Sequence, residues 1–138
     1  MNSLPALLTW MTNQLQAWPA CVEVQVIENR PLEPGRFRIK VRARLVEPYQ
    51  LQIRYDHNRG HYDYSSQLFS DQPVVRWDNK EDAGPVPTAP HHFHTAAGDI
   101  VESPLTGDPE HDWPLVRMVM EQFVTTHSKP PEQPDRFA

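Results

Sequence analysis

The stretch Arg36-Phe37-Arg38-Ile39-Lys40-Val41-Arg42-Ala43-Arg44-Leu45 decides the fold. Apolar and cationic residues alternate through it without a slip, and in an extended chain successive side chains point to opposite faces. Phe37, Ile39, Val41, Ala43 and Leu45 therefore share one face, and Arg36, Arg38, Lys40, Arg42 and Arg44 share the other. A helix would wind both sets around its circumference and bury neither cleanly. The stretch reads as a strand that buries one face and lines the other with cations.

Outward from this strand the same period recurs. Upstream, Val22, Val24 and Val26 alternate with Glu23 and Gln25, which predicts a strand with one side on a core. Pro31-Leu32-Glu33-Pro34-Gly35 predicts the turn between the two. Downstream of Pro48, Leu51, Ile53 and Tyr55 alternate with Gln52, Arg54 and Asp56, adding Arg54 to the cationic set. His57-Asn58-Arg59-Gly60 reads as a hairpin turn, residues 61–69 as a strand with Tyr62, Tyr64 and Leu68 on one face, and residues 74–78 as a fifth strand. Short strands joined by tight turns form an antiparallel meander rather than a parallel sheet.

The ends of the chain have a different period. Leu4, Leu7, Leu8, Met11, Leu15 and Trp18 recur at helical spacing, with Ser3 placed to cap the helix and Pro19 to end it. A second helix opens at Asp108-Pro109-Glu110, with acids at the positive end of its dipole and Trp113, Val116, Val119, Met120 and Phe123 on its apolar face. Between the last strand and this helix, residues 80–109 show no sustained period. So long a loop in a small domain is usually a functional or mobile segment. The expected fold class is α+β: a single antiparallel sheet of about five strands with an N-terminal and a C-terminal helix. The expected organisation is one domain over residues 1–127 and a disordered tail over 128–138.

Composition narrows the function classes. The chain has 138 residues, 13 Lys+Arg against 18 Asp+Glu, a formal net charge of −5 and a single cysteine. Cys21 has no second cysteine to pair with, so a disulfide-stapled secreted module is excluded, and a reducing cytoplasm is the expected location. No apolar run reaches the roughly 18–20 residues that span a bilayer. The short apolar stretch after Met1 has no basic residue before it, which argues against a signal peptide.

The charges are segregated, and this gives the first candidate site. Arg36, Arg38, Lys40, Arg42, Arg44 and Arg54 on adjacent strands repel one another unless anions answer them. Those anions are either internal, from Glu23, Glu28, Glu47 or Glu121, or external, from a nucleic-acid backbone or an acidic protein. The second candidate is Pro90-His91-His92-Phe93-His94. In extended backbone His92 and His94 share a side, while His91 faces away with Phe93. Such a pair can ligate a metal with Asp78, Asp99 or another histidine completing the set, can move protons as general base and acid, or can brace the loop on the sheet. With no cysteine beside it, a zinc-finger-like site is not expected. The third candidate is Arg76-Trp77-Asp78-Asn79, where Asp78 either turns the chain or orients a histidine from the following loop. Tyr62 and Tyr64 can hold a base or phosphate, or serve only as half-buried sheet residues. There is no glycine-rich phosphate loop and no nucleophile elbow.

The run Arg76-Trp77-Asp78-Asn79, followed by Pro90-His91-His92-Phe93-His94 and Gly98-Asp99, resembles the signature of the TumE-like toxin family. The family pattern is R-[WY]-D-N, a spacer containing proline, then P-H-H-x-H and a glycine. The resemblance covers roughly residues 36–105, and the Tyr62-Asp63-Tyr64 strand fits it. It implies the toxin component of a type II toxin–antitoxin system, neutralised by a helix-turn-helix antitoxin encoded nearby. It supplies no reaction. The residues themselves suggest metal-independent RNA cleavage: His92 and His94 as acid and base with His91 nearby, Asp78 orienting them, Arg76 on the phosphate, and Tyr62 and Tyr64 in support. No cofactor is expected on this reading. The alternatives are a metal ion held through His92 and His94, and a non-catalytic module whose basic face docks nucleic acid or an acidic antitoxin.

Overall fold

A computed structural model describes residues 2–80 and 86–127, the last by its backbone only. The elements run α1 (Leu4–Gln16), β1 (Cys21–Glu33), β2 (Arg36–Leu45), β3 (Gln50–Asn58), β4 (His61–Phe69), β5 (Pro73–Asp78), β6 (His92–His94), β7 (Ile100–Glu102) and α2 (Pro109–His127). The strands form one antiparallel sheet in the order β1-β2-β3-β4-β5-β6-β7, so each strand pairs with its neighbours in sequence. The class is the expected α+β.

Strict alternation governs β2, whose buried Phe37, Ile39, Val41, Ala43 and Leu45 lie directly beside His57, Tyr55, Ile53, Leu51 and their neighbours on β3. The same face continues through Tyr64 and Leu68 on β4 and Val75 and Trp77 on β5. Both helices cover it. From α1 come Leu7, Met11 and Leu15, and from α2 come Trp113, Val116, Met120 and Val124, all in one buried cluster. Trp18 meets Trp113 edge-on with ring centroids 5.7 Å apart, tying the end of the first helix to the second. Each fully buried aliphatic side chain here contributes roughly 1.5–3 kcal/mol. The opposite face, which carries the cationic row, has no helix on it among the described residues.

The local signals account for most of the boundaries. Ser3 Oγ accepts from Ala6 N–H at 3.3 Å, capping α1 as its side chain suggests. The β3–β4 hairpin turns on Arg59 and Gly60 alone, both at positive φ (48° and 92°), the conformation a two-residue hairpin needs. The expected turn at residues 57–60 is thus shorter, and β3 keeps His57 and Asn58. Likewise β1 runs through Pro31 to Glu33, leaving Pro34-Gly35 as the turn. Pro31 is tolerated because β1 is an edge strand and one proline N–H can be spared on its open side.

Two expectations need correction. The sheet has seven strands rather than about five, because the supposedly irregular 80–109 segment contributes β6 and β7. Each is three residues long, too short to show a period in sequence. The alternation of Val22, Val24 and Val26 also does not place all three in the core: Val22 is 57% exposed and Val26 42%. Register shifts between Cys21 and Glu23 and between Val26 and Glu28 interrupt β1, and an edge strand has a partner on one side only. The expected tail over 128–138 lies outside the described residues, as do residues 81–85 of the spacer.

Candidate functional site

The site forms where β5 ends and β6 begins. Register pairs Arg76 with His94, Trp77 with Phe93 and Asp78 with His92. Directly paired residues point to the same face, so Arg76, Asp78, His92 and His94 converge on the face away from the helices. Trp77 and Phe93 face the core, with ring centroids 4.7 Å apart.

Asp78 is the hub. Its carboxylate is fully buried, accepting from Arg76 Nε at 2.9 Å and from the Lys80 backbone N–H at 3.0 Å, with His92 Nε2 at 2.9 Å. His92 Nδ1–H donates to the Pro90 carbonyl at 2.9 Å. Both ring nitrogens of His92 therefore face acceptors, and the ring is locked, with 3% of its side chain exposed. His94 is different. Its Nε2 lies 3.0 Å from Arg76 Nη2, a pure donor, and 3.4 Å from Asp78 Oδ2. A guanidinium cannot accept, so Nε2 presents its lone pair to the arginine. Burial lowers the His94 pKa first, the Arg76 charge lowers it further, and Asp78 opposes the shift without reversing it. His94 is thus a neutral imidazole with 27% of its side chain in solvent, beside an arginine that is 36% exposed.

Asp78, His92 and His94 have ligand atoms within 4.8 Å of one another and could together hold a cation. Asp99 is not among them. The fit is poor for this arrangement, because Arg76 already binds Asp78 Oδ2 and covers the His94 lone pair, placing a positive charge where an ion would sit.

The remaining candidates fall elsewhere. His91, Tyr62 and Tyr64 lie on the core side. His91 Nδ1 is 2.8 Å from the Tyr64 hydroxyl, and the two rings stack. Burial, then the carboxylates of Asp112 and Asp78, push the Tyr64 phenol up; burial and Asp108 push Tyr62 up to about 12. Both stay protonated at neutral pH. Asn79 bridges β4, accepting from Tyr64 N–H and donating to the Tyr62 carbonyl.

Of the six cations, three are answered by carboxylates. Arg36 lies 3.5 Å from Glu33, Arg38 lies 2.9 Å from Asp56 and 3.5 Å from Glu28, and Arg44 lies 3.0 Å from Glu23. Arg42 donates to the neutral Gln52 amide oxygen, at 2.7 Å. Among the described residues no carboxylate pairs with Lys40, Arg42 or Arg54.

Sequence reasoning did not find the backbone partners, the Lys80 N–H and the Pro90 carbonyl, since every residue type but one carries both groups. It also did not single out Asp112. That carboxylate accepts from Thr106 N–H, Thr106 Oγ1–H and Gly107 N–H, tying the loop before α2 to the first turn of that helix.

Against known proteins, no curated protein and no solved structure matches the chain. A sequence model of the family described as Toxin TumE matches residues 15–128, which spans the whole sheet and both sides of the histidine motif. With that match over most of its length, the chain belongs to the TumE toxin family.

Proposed function

We propose that this toxin cleaves RNA by acid–base chemistry at the Arg76–Asp78–His92–His94 centre. The observation that carries the reading is the contact between His94 Nε2 and Arg76 Nη2 at 3.0 Å, a neutral base covered by a phosphate-binding group. A phosphodiester that engages the guanidinium draws it off the imidazole and uncovers the lone pair. His94 then takes the proton of the ribose 2′-hydroxyl, whose oxygen attacks the adjacent phosphorus as the bond to the 5′-oxygen breaks; water protonates the leaving oxygen. Arg76 offsets the charge that builds on the phosphoryl oxygens. Asp78 and the locked His92 hold Arg76 and His94 in register and do not touch substrate, a narrower role for His92 than the sequence suggested.

A toxin family suggests an antitoxin partner, and we take it to be a helix-turn-helix protein encoded nearby. Among the described residues no helix is long and apolar enough to cross a membrane, and we place the toxin's action in the cytoplasm. The test is to incubate the purified protein with labelled RNA, with and without EDTA. Cleavage in both, lost in His94→Gln, is the expected result; intact RNA at all concentrations alongside retained toxicity in cells overturns the reading. In that event the rival, a non-catalytic module whose histidines only brace the sheet, is the better account.

A further inference from the structure

Three of the six cations on the open face form no ion pair with a carboxylate among the described residues, and their positions are not random. Register places Lys40, Arg54, Ser65, Asp78 and His92 in one row across β2 to β6, with Glu28 beside Lys40 on β1 but engaged by Arg30 and Arg38. Arg42, Gln52, Gln67, Arg76 and His94 form the adjacent row. Lys40, Arg42 and Arg54, the uncompensated charges, all lie in these two rows. The compensated ones lie outside, Arg38 beside Asp56 and Asp63 on one flank and Arg44 with Glu23 on the other. A ligand carrying negative charge is thus repelled at one flank and attracted along the middle.

The surface is also hollowed along this line. A cavity of about 230 Å³ beside the site is lined by Gln67, Arg76 and His94. A second, of about 260 Å³, is lined by Arg42, Gln52, Gln67 and Phe69. They share Gln67 and Pro73, so they are consecutive depressions in one groove. Asp71, at the far rim, is the one carboxylate among the described residues that lines either. Arg42 lies over the Phe69 ring at 5.8 Å, an aromatic platform next to a cation.

We propose that single-stranded RNA lies across the strands in this groove, its phosphates over Lys40, Arg42 and Arg54 and its bases in the two hollows. At a strand spacing of ~4.8 Å, Arg54 and Lys40 stand about 10 and 14 Å from the Asp78 position. Both lie beyond the reach of the scissile phosphate, so they engage neighbouring nucleotides, and the substrate is an oligonucleotide rather than a dinucleotide. Phosphate contacts and base stacking on an aromatic ring are the recognition mode of single strands. The proposal rests on the RNA reading of the site.

The experiment separates binding from cleavage. Full-length His94→Ala protein is titrated against a fluorescein-labelled RNA octamer of mixed sequence, by anisotropy, over a range of NaCl concentrations. Adding Lys40→Gln and Arg54→Gln should lower the slope of log K against log salt by about 1.4, since each lost single-strand contact removes ~0.7. That corresponds to roughly 25-fold weaker binding at 0.1 M salt. Arg36→Gln with Arg44→Gln, the paired cations, should leave the slope unchanged. Equal losses from both pairs, or none from the inner pair in variants that melt like the parent, overturn the groove. An inner pair that loses antitoxin binding but keeps RNA binding also overturns it, and makes this face a protein-docking surface. Should the wild-type protein bind through the inner pair yet cleave nothing, the groove stands and only the proton-transfer chemistry falls.

Discussion

Asp78→Asn is the most informative single change, because it alters charge with almost no change of shape. The carboxylate is fully buried and accepts from Arg76 Nε, His92 Nε2 and the Lys80 N–H within 3.0 Å. An asparagine keeps one oxygen. Its NH₂ replaces the other, and so faces either Arg76 or the His92 and Lys80 donors. At least one charge-assisted hydrogen bond, worth about 1.5–3 kcal/mol, is lost, and a buried donor is set against a donor. Breaking buried ionic contacts from one side costs about 3–5 kcal/mol; partial exposure of Arg76 brings the expectation to about 3 kcal/mol. With a urea m-value of about 1.5 kcal/mol/M, the midpoint should fall by about 2 M. Equilibrium urea denaturation followed by tryptophan fluorescence reads this directly, because Trp77 precedes Asp78 in β5. The hub reading makes a second demand. Arg76→Gln in the Asp78→Asn background should cost less than it does alone, since the carboxylate that holds the guanidinium has gone. A midpoint within about 0.3 M of wild type, or strictly additive effects, would refute the reasoning.

Other consequences are simpler. His94→Gln should abolish toxicity in cells while leaving the melting temperature within about 2 °C, since the ring is partly in solvent and carries no buried charge. The lowered His94 pKa fixes the sign of the pH dependence. Below about 6.5 the unfolded chain binds the proton more readily, so stability is full above that pH and declines as pH falls through the folded value. Cleavage should follow the same limb, flat from about pH 7 to 8 and falling in acid, and a rate that rises on acidification would contradict His94 as base. EDTA should leave cleavage intact because Arg76 occupies the place of a cation; activity lost to EDTA and restored by a divalent ion would put a metal there instead. Tyr64→Phe removes the hydroxyl near His91 and should cost about 1 kcal/mol in urea while toxicity persists, because Tyr64 lies across the sheet from the site.

The sheet was legible because the signal for a strand is local. The ten residues of β2 state their own faces, and Pro, Gly and Asn punctuate the meander around them. Legibility ended where the signal depends on partners. The three-residue strands β6 and β7 have no period to show; they exist because β5 offers an edge to pair with. The valines of β1 alternate in sequence but not in burial, because β1 is an edge strand with a partner on one side only and its register is interrupted at both ends of their run. In the site, residue types predicted the participants and not their tasks. His92 and His94 are chemically identical in the sequence. Two acceptors surround one ring and a donor meets the other, and the proposed division into a bracing histidine and a base rests on that difference.

The spacing of the histidine motif acquires a physical reason from the same geometry. In a strand, alternate residues go to opposite faces, so Pro-His-His-x-His divides into two pairs. His91 and Phe93 point to the helix side, where Tyr64 and Trp77 receive them. His92 and His94 point to the open side, where Asp78 and Arg76 receive them. A strand of three residues has little pairing energy of its own and would drift along the edge of β5. The core-side aromatic contacts set its register, and a slip of one residue would exchange the two faces, burying His94 and placing Phe93 over Asp78. The core-side residues therefore determine which histidines face Asp78 and Arg76. Phe93→Ala should consequently impair toxicity beyond what its loss of stability explains. A Phe93→Leu variant, which still fills the space against Trp77, should restore it. Toxicity that tracks stability alone across both variants would show that the edge strand needs no such anchor.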